Sequence, residues 1–156
     1  LIVEFSLVNF KSKLNKDMST RCTIGIFNDN NTVTSIYCHH DGYPTYVGKT
    51  LLECYTDTDI VNKLMDLGDL SSLGEDLYAN GHTWKAPIEG VCVAYGRDRG
   101  EKDVEGMILD DLYSFERHGK DIGCEYQYLF KNNKWTYRKI FGDNTWKELT
   151  IEDCER

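Results

Sequence analysis

β-branched and aromatic residues concentrate in residues 21–27 (RCTIGIF) and 32–40 (TVTSIYCHH), and Asn28-Asp29-Asn30-Asn31 between them tolerates the positive φ of a tight turn. This pattern predicts a β-hairpin. On its second strand the period-two alternation groups Val33, Ser35, Tyr37 and His39 on one face and Thr34, Ile36, Cys38 and His40 on the other. Asp41-Gly42-Tyr43-Pro44 then ends the strand, because glycine permits unusual φ and the residue before proline is pushed out of the helical region. A helix is expected next, with Val47, Leu51, Leu52, Cys54 and Tyr55 as its apolar stripe. Thr56-Asp57 reads as the cap of a second short helix bearing Ile60, Val61, Leu64 and Met65, stopped by Gly68.

Residues 69–87 contain many turn formers and read as a surface excursion or a short helix. A third strand is expected over residues 89–95, a charged turn over residues 96–101, and a helix over residues 107–115 on the spacing of Ile108, Leu109, Leu112 and Phe115. Residues 124–130 and 135–141 flank Lys131-Asn132-Asn133-Lys134, a second hairpin signal. The stripe of Tyr126, Tyr128 and Phe130 reads as core. No repeat or linker interrupts this order, so the expected fold is a single α+β domain. It has a mostly antiparallel sheet of about five strands, including two hairpins, and two or three helices.

Length and charge narrow the picture. A chain of 156 residues suits one domain, and 18 Lys plus Arg against 26 Asp plus Glu leave a formal charge of -8. Nucleic-acid and anionic-membrane binding are therefore not expected. No stretch approaches the roughly 18–20 apolar residues of a membrane helix. The six cysteines form no C-x-x-C pair and read as reduced, buried thiols of a cytoplasmic protein, with Cys22 and Cys38 placed to meet across the first hairpin. Residues 1–10 (LIVEFSLVNF) make a poor signal peptide, since Glu4 interrupts them and no basic region precedes them. Met18 reads as an ordinary start. Residues 1–17 are then either an upstream extension or an extra strand at a sheet edge or oligomer contact, and residues 18–156 are the domain.

Three local motifs carry candidate chemistry. His39, His40 and Asp41 combine imidazole with carboxylate, which suits ligand contact or acid/base work, but no metal-ligand spacing accompanies them and no metal or cofactor is expected. Gly48-Lys49-Thr50 is not a phosphate-binding loop, because the required earlier glycine is Tyr43. Gly96-Arg97-Asp98-Arg99-Gly100-Glu101 sets two guanidiniums around a carboxylate, a receptor geometry for phosphate or carboxylate. The competing reading of that motif is a solvated turn in which Asp98 pairs with Arg97 or Arg99.

Between Met18 and Glu101 the chain resembles a group of small, uncharacterised bacteriophage- and prophage-encoded proteins. The words that carry the resemblance are Ser19-Thr20-Arg21 with Ile24-Gly25, Tyr37-Cys38-His39 with Asp41-Gly42-Tyr43-Pro44, and Val47-Gly48-Lys49-Thr50-Leu51-Leu52. Leu67-Gly68-Asp69-Leu70-Ser71-Ser72-Leu73-Gly74 and Gly96-Arg97-Asp98-Arg99-Gly100-Glu101 follow in the same order. The resemblance implies a phage-related, cytoplasmic origin and brings no activity with it.

The expectation is thus a non-enzymatic phage accessory protein that sequesters a small anionic, nucleotide-like immune signal of the host. Its pocket would bring together Arg21, His39, Asp41, Tyr43, Trp84, Arg97, Asp98 and Arg99, with arginines on phosphate and Tyr43 or Trp84 on a base. A second expectation is an acidic inhibitor that docks on a host defence protein. A third is a small hydrolase using His39 and Asp41.

Overall fold

The computed structural model describes residues 19–155, so the expected extension or edge strand over residues 1–17 lies outside the described residues. The two predicted hairpins form. Strand β1 (Cys22–Phe27) pairs antiparallel with β2 (Val33–Cys38), with Cys22 opposite Cys38 and both thiols free. Asn31 takes a φ of 67° in the connecting turn, and the Asn28 side chain bonds Thr32 and Thr34 across its base. In the second hairpin Asn132 and Asn133 both adopt positive φ, the conformation that a two-residue turn matching strand twist requires.

Among the described residues eight strands make one mixed sheet, seven of them in the order β4-β3-β2-β1-β6-β7-β8 and β5 off this path beside β2. The other members are β3 (Leu70–Ser72), β4 (Val93–Ala94), β5 (Met107–Leu109), β6 (Tyr126–Lys131), β7 (Lys134–Lys139) and β8 (Lys147–Glu148). β5 pairs with the first half of β2, while β3 takes its far end. The expectation of about five mostly antiparallel strands holds in part: five of the seven pairings among the described residues are antiparallel, but the sheet is mixed and has more strands than expected. β1 runs parallel to β6 and β2 parallel to β3, and four of the eight strands are only two or three residues long. Strands that short carry too little alternation to be read from sequence.

A π-helical turn (Pro44–Gly48) leads into α1 (Lys49–Cys54) and then α2 (Thr58–Asp66), whose first turn is capped by Asp57. Three further helices are α3 (Tyr95–Arg99), α4 (Leu112–Asp121) and α5 (Ile151–Cys154), so the described residues hold five α-helices where two or three were expected. The expected turn over residues 96–101 is α3, closed by Gly100 at a φ of 76°. The expected helix over residues 107–115 is also corrected. It is strand β5 followed by α4, because Asp111 caps a new helix start by accepting the Ser114 amide at 2.7 Å.

The main core lies on one face of the sheet, where Ile24, Ile36, Leu51, Tyr55, Leu64, Tyr128 and Trp135 are buried together. A smaller core on the opposite face joins Val33, Phe115 and Leu129 under α4. Gly25 lets that helix approach, since a Cβ there would lie 2.9 Å from both Phe115 and Val33.

Candidate functional site

Where the core face ends, at the start of β6 and the end of β7, a cleft of about 370 Å³ opens among Tyr43, Tyr126, Tyr137, Lys139, Lys147 and Thr45. Tyr43 reaches it because the loop beneath is held on both sides. The Gly42 amide donates to the Thr20 carbonyl at 2.9 Å, and the buried Tyr128 hydroxyl donates to the Gly42 carbonyl at 2.7 Å. Pro44 then starts the π-helical turn directly after Tyr43. The Tyr43 and Tyr126 rings meet edge-on at 6.4 Å, and Tyr137 stacks on Tyr128 at 6.2 Å.

The cleft carries both signs of charge. Lys147 on β8 stands opposite Tyr137 and pairs with Asp143 at 3.6 Å, an exposed contact of little energetic weight. Among the described residues Lys139 makes no ion pair. Asp143 accepts from the Thr145 hydroxyl and amide, which together hold its carboxyl below the usual range. Asp153 closes the capping box of α5 with Thr150. Arg138 borders the cleft, but its guanidinium is bound to Gln127, the Glu116 carbonyl and the Asn144 carbonyl. Phenol rings flanked by ammonium groups suit a flat ligand bearing an anionic substituent.

The other sequence-predicted residues go elsewhere. Arg21 and His39 come together around the Tyr37 phenol, which shares a hydrogen bond of 2.7 Å with His39 Nδ1. Burial pushes the Tyr37 phenol up to about 12, against the opposing effect of the Arg21 guanidinium. Burial, then His40 and Arg21, lowers the His39 pKa. The expectation that strand alternation separates the two histidines is corrected. β2 ends at Cys38, and the two imidazoles lie edge-to-face with centroids 4.6 Å apart. Asp41 is an exposed turn residue at a φ of 57°, its carbonyl accepting from the Val47 amide.

The Arg97-Asp98-Arg99 motif forms a third location, built around Asp98. One Asp98 oxygen accepts from the Ala94 amide at 2.8 Å and from His82 Nε2 at 3.1 Å, while the other accepts from Arg97 Nε at 2.9 Å. His82 Nδ1 accepts from the Ile88 amide, so Nε2 carries the ring proton. Burial pushes the Asp98 carboxyl up, but the hydrogen bonds from Arg97, Ala94 and His82 outweigh it and hold it below the usual range. Arg97 also donates to the Leu77 and Cys92 carbonyls, leaving its planar fork largely occupied. Arg99 pairs with Glu101 and lies over the rings of Trp84 and Tyr95, at 4.8 Å and 5.2 Å. These contacts fasten the excursion between β3 and β4 onto α3.

The single pocket expected from the sequence is therefore divided, and only Tyr43 of its eight residues lines the tyrosine cleft. Tyr126, Tyr137, Lys139 and Lys147, which also line the cleft, were not among the residues expected from the sequence. Their one visible signal is position, since Tyr126 and Lys139 sit at the hairpin ends farthest from the Asn132-Asn133 turn, where the core stripe runs out. Among the described residues no group of three or more His, Cys, Asp or Glu could hold a metal ion, and no helix is long and apolar enough to cross a membrane. No family model, curated protein or solved structure matches the chain.

Proposed function

We propose that the chain is a phage accessory protein that binds a small anionic, nucleotide-like signal of the host in the tyrosine cleft and sequesters it without turnover. The observation that carries this reading is the convergence of Tyr43, Tyr126 and Tyr137 with Lys139 and Lys147 around one opening of about 370 Å³. Small-molecule sites occupy roughly 300–1,000 Å³, and base-on-aromatic stacking tolerates any base because every base has a π-face. Among the described residues the cleft lining contains no histidine or cysteine, and the carboxylates of Asp143 and Asp153 are bound to Thr145 and Thr150. That lining favours holding a ligand over cleaving it. The phage-like words of the sequence support a host signal as the ligand, met in the cytoplasm of an infected bacterium, where buried thiols such as Cys22 and Cys38 stay reduced.

The test is to incubate purified protein with a panel of mono- and cyclic nucleotides, remove free nucleotide, denature the protein by heat and analyse the supernatant. Depletion followed by recovery of the intact nucleotide is the expected result. Conversion of the nucleotide, or no depletion from any member of the panel, would overturn the proposal.

A further inference from the structure

Strand β5 presents an apolar edge to solvent. Its inner side is bonded to β2 through the pairs Val33 with Leu109, Thr34 with Ile108 and Ser35 with Met107. Among the described residues no strand lies on its outer side, and no other backbone hydrogen bond reaches Met107, Ile108 or Leu109. Ile108 is 70% exposed and Met107 48%, and Tyr113 on the adjoining α4 is 66% exposed. An open edge of this kind is a template for another strand.

The flanking charges select what that strand can be. Glu101, Asp103 and Glu105 precede β5, and Asp110 and Asp111 follow it, with Lys102 the only cation in that run. Glu101 is paired with Arg99, whereas Asp103, Glu105 and Asp110 are exposed and make no ion pair among the described residues. Antiparallel pairing with a second copy, centred on Ile108, would set Asp111 of each chain opposite Glu105 of the other with Asp110 beside it, and like charges facing one another across strands are destabilising. A segment with Lys or Arg on both sides of a short apolar run meets the opposite situation. We infer that β5 is a docking edge for an extended, basic segment of another protein, which adds to the sheet as an antiparallel strand.

The chemistry divides the work in a recognisable way. Backbone hydrogen bonds to the outer side of β5 fix register, apolar contact with Ile108 and Met107 supplies area, and the surrounding carboxylates steer approach and choose the sign of the partner. A ladder only three residues long implies a weak, salt-sensitive complex.

The probe is a blocked peptide of alternating Val and Thr with two Arg at each end, titrated into the isotope-labelled full chain. A matched peptide with Glu in place of Arg is the control. The expected result is a shift of the Met107, Ile108 and Leu109 amides with the Arg-flanked peptide and none with the Glu-flanked one. Reversing two charges, Glu105→Lys with Asp110→Lys, should exchange these preferences, each by about tenfold in Kd. Shifts confined to other residues, equal binding of both peptides, or binding indifferent to the charge reversal would overturn the inference. So would a dimer in sedimentation that Ile108→Lys abolishes, since it would show a second copy on this edge.

Discussion

The Tyr128 hydroxyl donates to the Gly42 carbonyl at 2.7 Å in the buried interior, tying the middle of β6 to the loop that presents Tyr43. Burial holds the Tyr128 phenol well above its usual pKa, so it remains a donor throughout the working pH range. Tyr128→Phe keeps the ring but leaves the Gly42 carbonyl unpaired. The expected cost is about 1–3 kcal/mol of stability, measured by urea denaturation. Nucleotide affinity should fall as well, because Tyr43 loses the anchor beneath its loop.

Asp98 gives a pH signature. Its folded pKa is depressed, the hydrogen bonds from Arg97, Ala94 and His82 overcoming the effect of burial. A carboxyl of this kind adds stability that is fully present above its unfolded pKa, about 3.9, and is lost as pH falls through the lower folded value. Asp98→Asn should therefore cost about 1–3 kcal/mol at neutral pH, with the difference from the parent shrinking below about pH 4. Urea denaturation of both proteins across that range measures it. A difference independent of pH would mean that shape alone matters at this position.

The two arginine-rich and tyrosine-rich locations separate cleanly by mutation. Tyr43→Ala removes a stacking surface and should weaken nucleotide binding by about 1–3 kcal/mol with little change in stability. Arg97→Ala should do the reverse. It releases the Leu77 and Cys92 carbonyls, so limited proteolysis should cut within residues 77–92 while nucleotide affinity is retained.

The hairpins were legible because two signals coincided, β-rich runs and asparagines able to adopt positive φ between them. The parallel pairing of β1 with β6 was not, since it depends on contacts about a hundred residues apart that leave no local pattern, such as Gln127 with Thr23. In the candidate site, Tyr43 was legible from the turn that opens a helix. Tyr126 was hidden because it continues the same period-two stripe as buried Tyr128 and Phe130, and only the fold shows where the covering helices stop. The Arg97 motif was visible as chemistry, but the Leu77 and Cys92 carbonyls that occupy it belong to the backbone and have no residue signature.

Gly25 offers the sharpest test of how α4 is seated. It lies in the central strand β1, on the face opposite the cleft, and a Cβ there would come within 2.9 Å of Phe115 and Val33, both fully buried. Phe115 is held from its other side as well, since it stacks on Trp146 with ring centroids 6.2 Å apart. Gly25→Ala should cost about 1–3 kcal/mol by overpacking. Shortening the obstructing ring with Phe115→Leu should recover part of that loss in the Gly25→Ala background, although it is destabilising by itself. The double-mutant cycle should then show coupling of about 0.5 kcal/mol or more. Additive costs would mean that the backbone of β1 yields instead of the ring. Nucleotide affinity should remain at the parent value in the single variants, since Tyr126, Tyr128 and Phe130 project to the other side of the sheet.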